Sequence, residues 1–331
     1  MSKNILVPGG AGYVGSHMVY ALLHEGYNPV VFDNLSTGCR ESIPDDVIFI
    51  EADLRNASDI MAVLKCHRID AVMHFAASSI APESMVDPLK YYENNVLACV
   101  NLLKAMAENK VKKFIFSSTA AVYGEPVNIP VKEEDETLPT NTYGRSKLMI
   151  ENILRDIAVA HDFSYISLRY FNAAGAHPSG RTGEKHNPET HLIPNILKVA
   201  SGEKDELTIF GDDYPTPDGT CIRDYIHIQD LCRAHLLALE ALNGGVKSDM
   251  FNLGSGSGYS VKQILQTAEE ITGSKIKTKT ASRRTGDPAR LVASSGKAQK
   301  ILGWKPELDI REIIQSAWAW ECKTAALKQK K

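Results

Sequence analysis

Two short stretches of the chain carry groups spaced for chemistry. Tyr143-Gly144-Arg145-Ser146-Lys147 sets a phenol and an ammonium four residues apart. That spacing puts both on one face if the segment is helical. A free phenol ionises near pH 10, too high for an efficient base at neutral pH. A cation on the next turn favours the phenolate, and so does the positive ring of an oxidised nicotinamide. The other stretch, Gly9-x-x-Gly12-x-x-Gly15, follows the apolar run Ile5-Leu6-Val7 and precedes an amphipathic pattern. Glycines at such a junction allow a tight turn and a close backbone approach to pyrophosphate, while the helix N-terminus offers unpaired N–H groups. Together the stretches predict a nicotinamide enzyme with tyrosine as its acid/base.

Asp33 ends the next apolar run, at the distance of roughly 20 residues expected of a ribose-binding carboxylate. It would accept from both ribose hydroxyls and repel a 2′-phosphate, so NAD is expected over NADP. Asp53 follows a third apolar run and suits an adenine amino group or, equally, a helix cap. Thr119 closes Ser117-Ser118-Thr119. Beside Tyr143 its hydroxyl can bond a substrate hydroxyl and help pass its proton.

These groups need a scaffold, and the pattern supplies one. Apolar runs at 5–7, 30–32, 47–50, 71–75, 113–117 and 165–170 alternate with helical periodicity at 12–24, 57–65, 88–108 and 142–161. Strand and helix in alternation predict an α/β fold, a parallel sheet with helices on both faces. Residues 173–189 are rich in glycine and proline and read as a long loop, a kind that is usually functional. Beyond it the pattern is mixed. Helices are expected at 192–201, 261–272, 296–302 and 310–320, strands at 207–210 and 250–253, and a strand–helix unit at 224–242.

With 331 residues, the chain is long enough to bury about 75% of its unfolded surface. A net charge of −3 and 44% hydrophobic residues argue against a nucleic-acid surface and against a membrane protein. The basic ending Lys328-Gln329-Lys330-Lys331 reads as a frayed tail. Cys39, Cys66, Cys99, Cys221, Cys232 and Cys322 form no C-x-x-C pair and have no zinc spacing with histidine. Free thiols in the cytoplasm are expected, with no metal. The N-terminal apolar run is too short for a signal peptide.

The chain resembles the extended short-chain dehydrogenase/reductase superfamily and, within it, the UDP-glucose 4-epimerases. The resemblance rests on GGAGYVGSH (9–17), DNLSTG (33–38), HFAA (74–77), YYENNV (91–96), FIFSSTAAVYG (114–124), YGRSKLMIE (143–151), RYFNAAGAHPSG (169–180), FGDDYPTPDGTCIRDYIH (210–227), NLGSGSG (252–258) and RRTGDPARLVAS (283–294). It implies a Rossmann-like NAD domain over 1–175 and a smaller mixed α/β lobe for a UDP-hexose over 176–331. Segments near 224–255 would return toward the first domain. It also implies a homodimer, paired through helices 88–108 and 142–161.

By position, Tyr143 is similar to the base that takes the sugar's O4 proton, Thr119 to its assistant and Lys147 to the ribose-binding residue that tunes it. Gly9, Gly12, Tyr13, Val14, Gly15, Asp33, Asn34, Asp53, Leu54, Phe75, Ala76, Asn94, Ser117 and Phe171 fall where the family binds NAD. Asn172, His191, Leu192, Phe210, Arg223, Arg284 and Asp287 join Thr119 where it grips the UDP-sugar. Arginines suit phosphate oxygens, and an aromatic suits uracil.

Three positions depart from parts of the family: Ser79 stands where some members have lysine, and His191 where some have asparagine. Leu291, intermediate in size, lies near a position that governs room for an N-acetyl group. Other UDP-sugar 4-epimerisations, including UDP-GlcNAc/UDP-GalNAc, stay open. A 4,6-dehydratase would need an Asp-Glu pair after Thr119, where Ala120-Ala121 stand. An NAD-sensing regulator would have no use for Tyr143 with Lys147.

Overall fold

A computed structural model describes residues 2–284 and 286–328; the last three residues of the basic tail lie outside them. In the first half, β1 (Asn4–Pro8), α1 (Tyr13–His24), β2 (Asn28–Asp33), β3 (Ile48–Glu51), α2 (Ala57–Cys66) and β4 (Ile69–His74) are followed by α3 (Ala81–Val86), α4 (Pro88–Tyr91) and α5 (Ala98–Glu108). Next come β5 (Lys113–Thr119), α6 (Thr142–Ala160) and β6 (Ser164–Tyr170).

The second half comprises β7 (Asn172–Ala174), α7 (Leu192–Ala200), β8 (Leu207–Phe210), β9 (Ile222–His227), α8 (Ile228–Asn243) and β10 (Asp249–Leu253). It ends with β11 (Gly258–Ser260), α9 (Val261–Thr272), β12 (Thr278–Ala281), β13 (Arg290–Leu291), α10 (Gly296–Leu302) and α11 (Ile310–Lys328).

Seven strands form a parallel sheet in the order β10-β6-β5-β4-β1-β2-β3. Both faces are covered, which is why its inner strands read as continuous apolar runs rather than alternating ones. Met18, Val19 and Leu22 of α1, with Leu231, Ala238 and Leu242 of α8, pack on one face. Ile60 and Val63 of α2, Leu102 and Met106 of α5, and Ile150 and Leu154 of α6 pack on the other. Each fully buried aliphatic side chain contributes about 1.5–3 kcal/mol.

The expected helix over 88–108 is interrupted: residues 92–97 widen into a π-helix between α4 and α5. Such widenings recur at functional sites, and this one carries Asn94 and Asn95. The helix expected to stop at Trp320 continues to Lys328.

A smaller unit has its own core, built from Ile193, Ile196, Ile209, Ile264, Ile313 and their neighbours. Its strand β9 pairs with β7, β11 and β13, while β8 pairs with β12. The chain passes between the two units repeatedly. It goes from β6 to β7, back through α8 to β10, out again to β11, and back once more to α10, which packs on β10 and α8. Among the described residues, no helix is long and apolar enough to cross a membrane.

Candidate active site

The cleft opens at the carboxyl ends of the parallel strands, beside the point where strand order reverses between β1 and β4, the usual ligand site of such sheets. Gly9 follows β1 with φ of +77°, a conformation natural to glycine. A Cβ there would stand 2.3 Å from the Ala76 nitrogen. At Gly15 a Cβ would meet the Gly9 oxygen at 2.1 Å, so α1 seats directly on the turn. Among the described residues no side chain caps α1 at Gly12. Its first N–H groups are therefore left for an anion. That arrangement fits a dinucleotide pyrophosphate.

Asp33 accepts the Ala11 N–H at 2.9 Å through one oxygen and the Leu35 N–H at 2.9 Å through the other. Burial raises its pKa, and those two bonds oppose the rise. With one bond on each oxygen, acceptor capacity remains for ribose hydroxyls. Asp53 differs. It receives the Arg55 backbone N–H and Nε at one oxygen, and Arg55 Nη2 and Asn34 Nδ2 at the other. Those four donors fill a carboxylate's roughly four acceptor positions. An adenine amino group therefore binds Asp53 only by displacing one of them, and the half-exposed Arg55 is the easiest to move.

The groups expected to react meet where α6 starts. Asn141 caps it, its Oδ1 accepting the Gly144 N–H at 2.8 Å. A Cβ on Gly144 would lie 2.5 Å from the Ala121 oxygen, so this first turn packs hard against the segment after Thr119. Tyr143 is thereby brought to Thr119, whose hydroxyl draws the phenol's pKa down, although burial dominates and leaves it raised. Without the positive nicotinamide ring that the sequence reading counts beside Lys147, desolvation outweighs what the chain itself supplies. Burial lowers the Lys147 ammonium to about 8, against the pull of Cys99 and Glu151. Its Nζ donates to the Ser117 carbonyl at 2.8 Å and lies 4.8 Å from the Phe116 ring centroid.

Asn94 Nδ2 donates to Ser78 Oγ at 3.0 Å. Asn95, fully buried, accepts the Ser78 N–H and donates to the Ser78 carbonyl and to Ser146 Oγ. The π-helical segment thus ties the end of β4 to α6.

Gly9, Gly12, Tyr13, Val14, Gly15, Asp33, Asn34, Asp53, Leu54, Phe75, Ala76, Asn94, Ser117, Thr119, Tyr143, Lys147, Phe171, Asn172, His191 and Leu192 all line this one cleft. Phe210, Arg223, Arg284 and Asp287 do not line it but pair beside it. Arg223 Nη2 bonds Asp287 at 3.1 Å, and the Arg284 guanidinium stacks 4.0 Å over the Phe210 ring. They connect to the cleft through β9, where Arg223 and the cleft-lining Tyr225 share a face. Asn172 reaches the same strand by donating to the Asp224 carbonyl at 2.8 Å.

Tyr170, Tyr225, Glu184 and His186 also line the cleft and were missed by sequence reasoning. The last two sit in the segment 173–189, whose length was the only signal. Glu184, His186 and Glu189 of that segment cluster with His191 just beyond it, where the sequence suggested no metal ligands.

Residues 5–254 match the NAD dependent epimerase/dehydratase family. The chain is 51% identical over 317 residues to the UDP-glucose 4-epimerase of Halalkalibacterium halodurans, covering 96% of this chain and 95% of that protein. It is similar in structure to UDP-glucose 4-epimerase from Brucella ovis in complex with NAD, with TM-score 0.93, 44% identity and coverage of 96% and 98%. It is also similar to UDP-glucose 4-epimerase from Bifidobacterium longum in complex with NAD+ and UDP, with TM-score 0.94, 39% identity and coverage of 98% and 99%. A glycine turn fitted to pyrophosphate, an acidic strand end and the Tyr143–Lys147 pair agree with these likenesses: the chain belongs to the NAD dependent epimerase/dehydratase family and uses NAD.

Proposed function

We propose that the chain interconverts UDP-glucose and UDP-galactose by reversible inversion at C4 through a transient 4-keto sugar. The observation that carries this reading is the meeting of Tyr143, Thr119 and Lys147 at the inner end of a dinucleotide cleft. Tyr143 takes the proton from O4, and Thr119 bonds the same oxygen and helps to pass the proton. NAD, when bound, accepts a hydride from C4 and returns it. Lys147 steadies the nicotinamide ribose and, with the positive ring, opposes the burial that keeps the phenol protonated.

Arg223 and Arg284 hold the diphosphate, and Phe210 faces uracil, so the keto sugar turns about a fixed anchor. Tyr143 then returns the proton with the other face of C4 presented. Binding remote from C4 retains the intermediate during the turn. Electrons and protons balance over the cycle, so NAD is neither consumed nor released.

In this reading residues 1–175 serve the cofactor and 176–331 the sugar nucleotide, with the stretch near 224–255 returning to the first. The protein works in the cytoplasm, which its six free thiols suit. It acts as a homodimer. Met85, Val86, Leu89, Leu97 and Met149 are exposed on α3, α4, the π-helical turn and α6, and exposed apolar clusters of this kind mark contact surfaces.

Tyr143→Phe tests the reaction. It should bind NAD and UDP as before and lose turnover by about 10²–10⁴-fold; wild-type rates in that variant would refute the assignment. Products from UDP-glucose should have unchanged mass, and loss of one water would mark a dehydratase instead.

A further inference from the structure

We propose that Glu184, His186, Glu189 and His191 form a binding site for a divalent transition metal of the zinc class at the rim of the cofactor cleft. The four donor atoms lie within 4.8 Å of one another. His186 Nδ1 is 3.3 Å from Glu184 Oε1 and 3.6 Å from Glu189 Oε2. His191 Nδ1 contacts the same Glu184 oxygen. Ligands at about 2.0–2.1 Å from a tetrahedral ion stand roughly 3.3–3.4 Å apart; the two His186–carboxylate pairs already stand near that spacing, whereas the direct His191–Glu184 contact must open to admit an ion. Two imidazoles and two carboxylates are a zinc-like donor set.

The surroundings hold these donors as outer partners of a metal site do. The backbone N–H groups of Thr190 and His191 donate to Glu189 Oε1 at 2.8 and 2.9 Å, leaving Oε2 turned toward His186. Trp320 Nε1 donates to the Glu184 carbonyl at 3.0 Å, fixing one end of the loop to α11. The His186 ring stands edge-on to His191, with centroids 5.2 Å apart, and to Tyr13 of the cofactor turn, 6.3 Å away.

Enclosure supplies a further argument: the two carboxylates expose only 6% and 4% of their side chains. Binding would cross-link residues 184–191, the loop that carries His191 and enters α7, to itself beside Tyr13. Ligation through Nδ1 leaves His191 Nε2 outside the coordination shell, so the role proposed for that residue toward substrate is compatible.

The test uses the NAD-bound full chain, stripped with chelator, desalted and titrated with Zn²⁺ by calorimetry and with Co²⁺ by visible absorption. One ion per chain with a dissociation constant of about 1 μM or tighter, and the d–d bands of four-coordinate Co²⁺, are expected. His186→Ala and Glu189→Gln should each weaken binding by about 100-fold, while His24→Ala, at an exposed helix end, should not change it. His186→Cys keeps a zinc ligand. It should retain one ion and add a thiolate-to-cobalt charge-transfer band, which decides the matter even if His186→Ala misfolds. A flat isotherm, or binding that survives both His186→Ala and Glu189→Gln, overturns the proposal. Neither readout depends on turnover, so the proposal and the assigned reaction fail separately.

Discussion

Glu151 and Arg169 form a doubly bonded ion pair sealed from solvent, with Arg169 Nε 2.9 Å from Glu151 Oε1 and Nη2 2.5 Å from Oε2. Ser118 Oγ donates to the same carboxylate at 2.5 Å, and Arg169 Nη1 donates to Tyr123 Oη at 2.8 Å. Tyr123 in turn donates to Asn252 of β10 at 2.7 Å. Glu151 lies one turn past Lys147 on α6, so the pair pins the helix that carries Tyr143 and Lys147 to β5 and β6.

Breaking that pair strands a charge in the interior. Glu151→Ala should lower stability by about 3–5 kcal/mol, read from urea midpoints. Glu151→Ala with Arg169→Met should lose clearly less than the two single changes summed, because neither charge is then left alone. Additive losses would show that the pair is not coupled.

Lys147→Ala should raise the pH at which turnover reaches its plateau. Lys147 is the buried cation nearest in sequence to the base, and burial alone favours protonated phenol. Removing the cation shifts the basic requirement upward, so the rate loss should be largest at neutral pH and shrink toward pH 10. A profile that falls without moving would confine Lys147 to ribose binding.

Acid should destabilise the fold through its buried histidines. Burial lowers His17, His227 and His235 to about 4 and His74 to about 3, with Lys147 adding to the effect at His74. Unfolded histidines ionise near pH 6.5. Between that value and the folded pKa the unfolded chain binds more protons, so stability drops as pH falls through this window. His74 packs between Phe114 and Phe116. His74→Leu should narrow the stability gap between pH 7.5 and pH 5 by about 2 kcal/mol. An unchanged gap would mean that His74 binds its proton alike in the folded and unfolded states.

Gly9→Ala should abolish NAD retention. The added carbon would sit 2.3 Å from the Ala76 nitrogen at a backbone φ of +77°, so the turn must shift away from the phosphate position. Fluorescence titration with NADH checks this; wild-type affinity would show that the turn does not touch the cofactor.

Leu89→Asp with Val86→Asp should convert the proposed dimer to monomer. Both residues are exposed on neighbouring short helices. Light scattering at micromolar concentration reads the mass directly, and a monomeric wild type would end the dimer proposal.

Much of the scaffold was legible because its signals are local. Ile5-Leu6-Val7 before three spaced glycines, and Asp33 at a strand end, need no tertiary information to interpret. The spacing of Tyr143 and Lys147 is read the same way. What escaped depends on distant partners. β7 and β13 are only three and two residues long and exist because β9 offers backbone groups to both. The π-helical widening at 92–97 leaves apolar periodicity almost intact, so a single helix was the natural reading. Glu184 and His191 are seven positions apart in an irregular loop, where no periodic rule brings side chains together. The direction of the Tyr143 shift needed the burial itself, which no spacing conveys.

The repeated traffic of the backbone between its two units bears on how a nucleotide could ever escape. A cleft hinged on one strand can swing wide, but this one is laced across by β7, α8, β10 and α10 in alternation. Each sheet stays within its own unit, so what limits opening is the repeated crossing of the chain between them. Exchange of the coenzyme is then eased mainly by the glycine turn and the 173–189 segment. Residence should be long compared with a catalytic cycle, as suits a reaction that lends its electrons and takes them back.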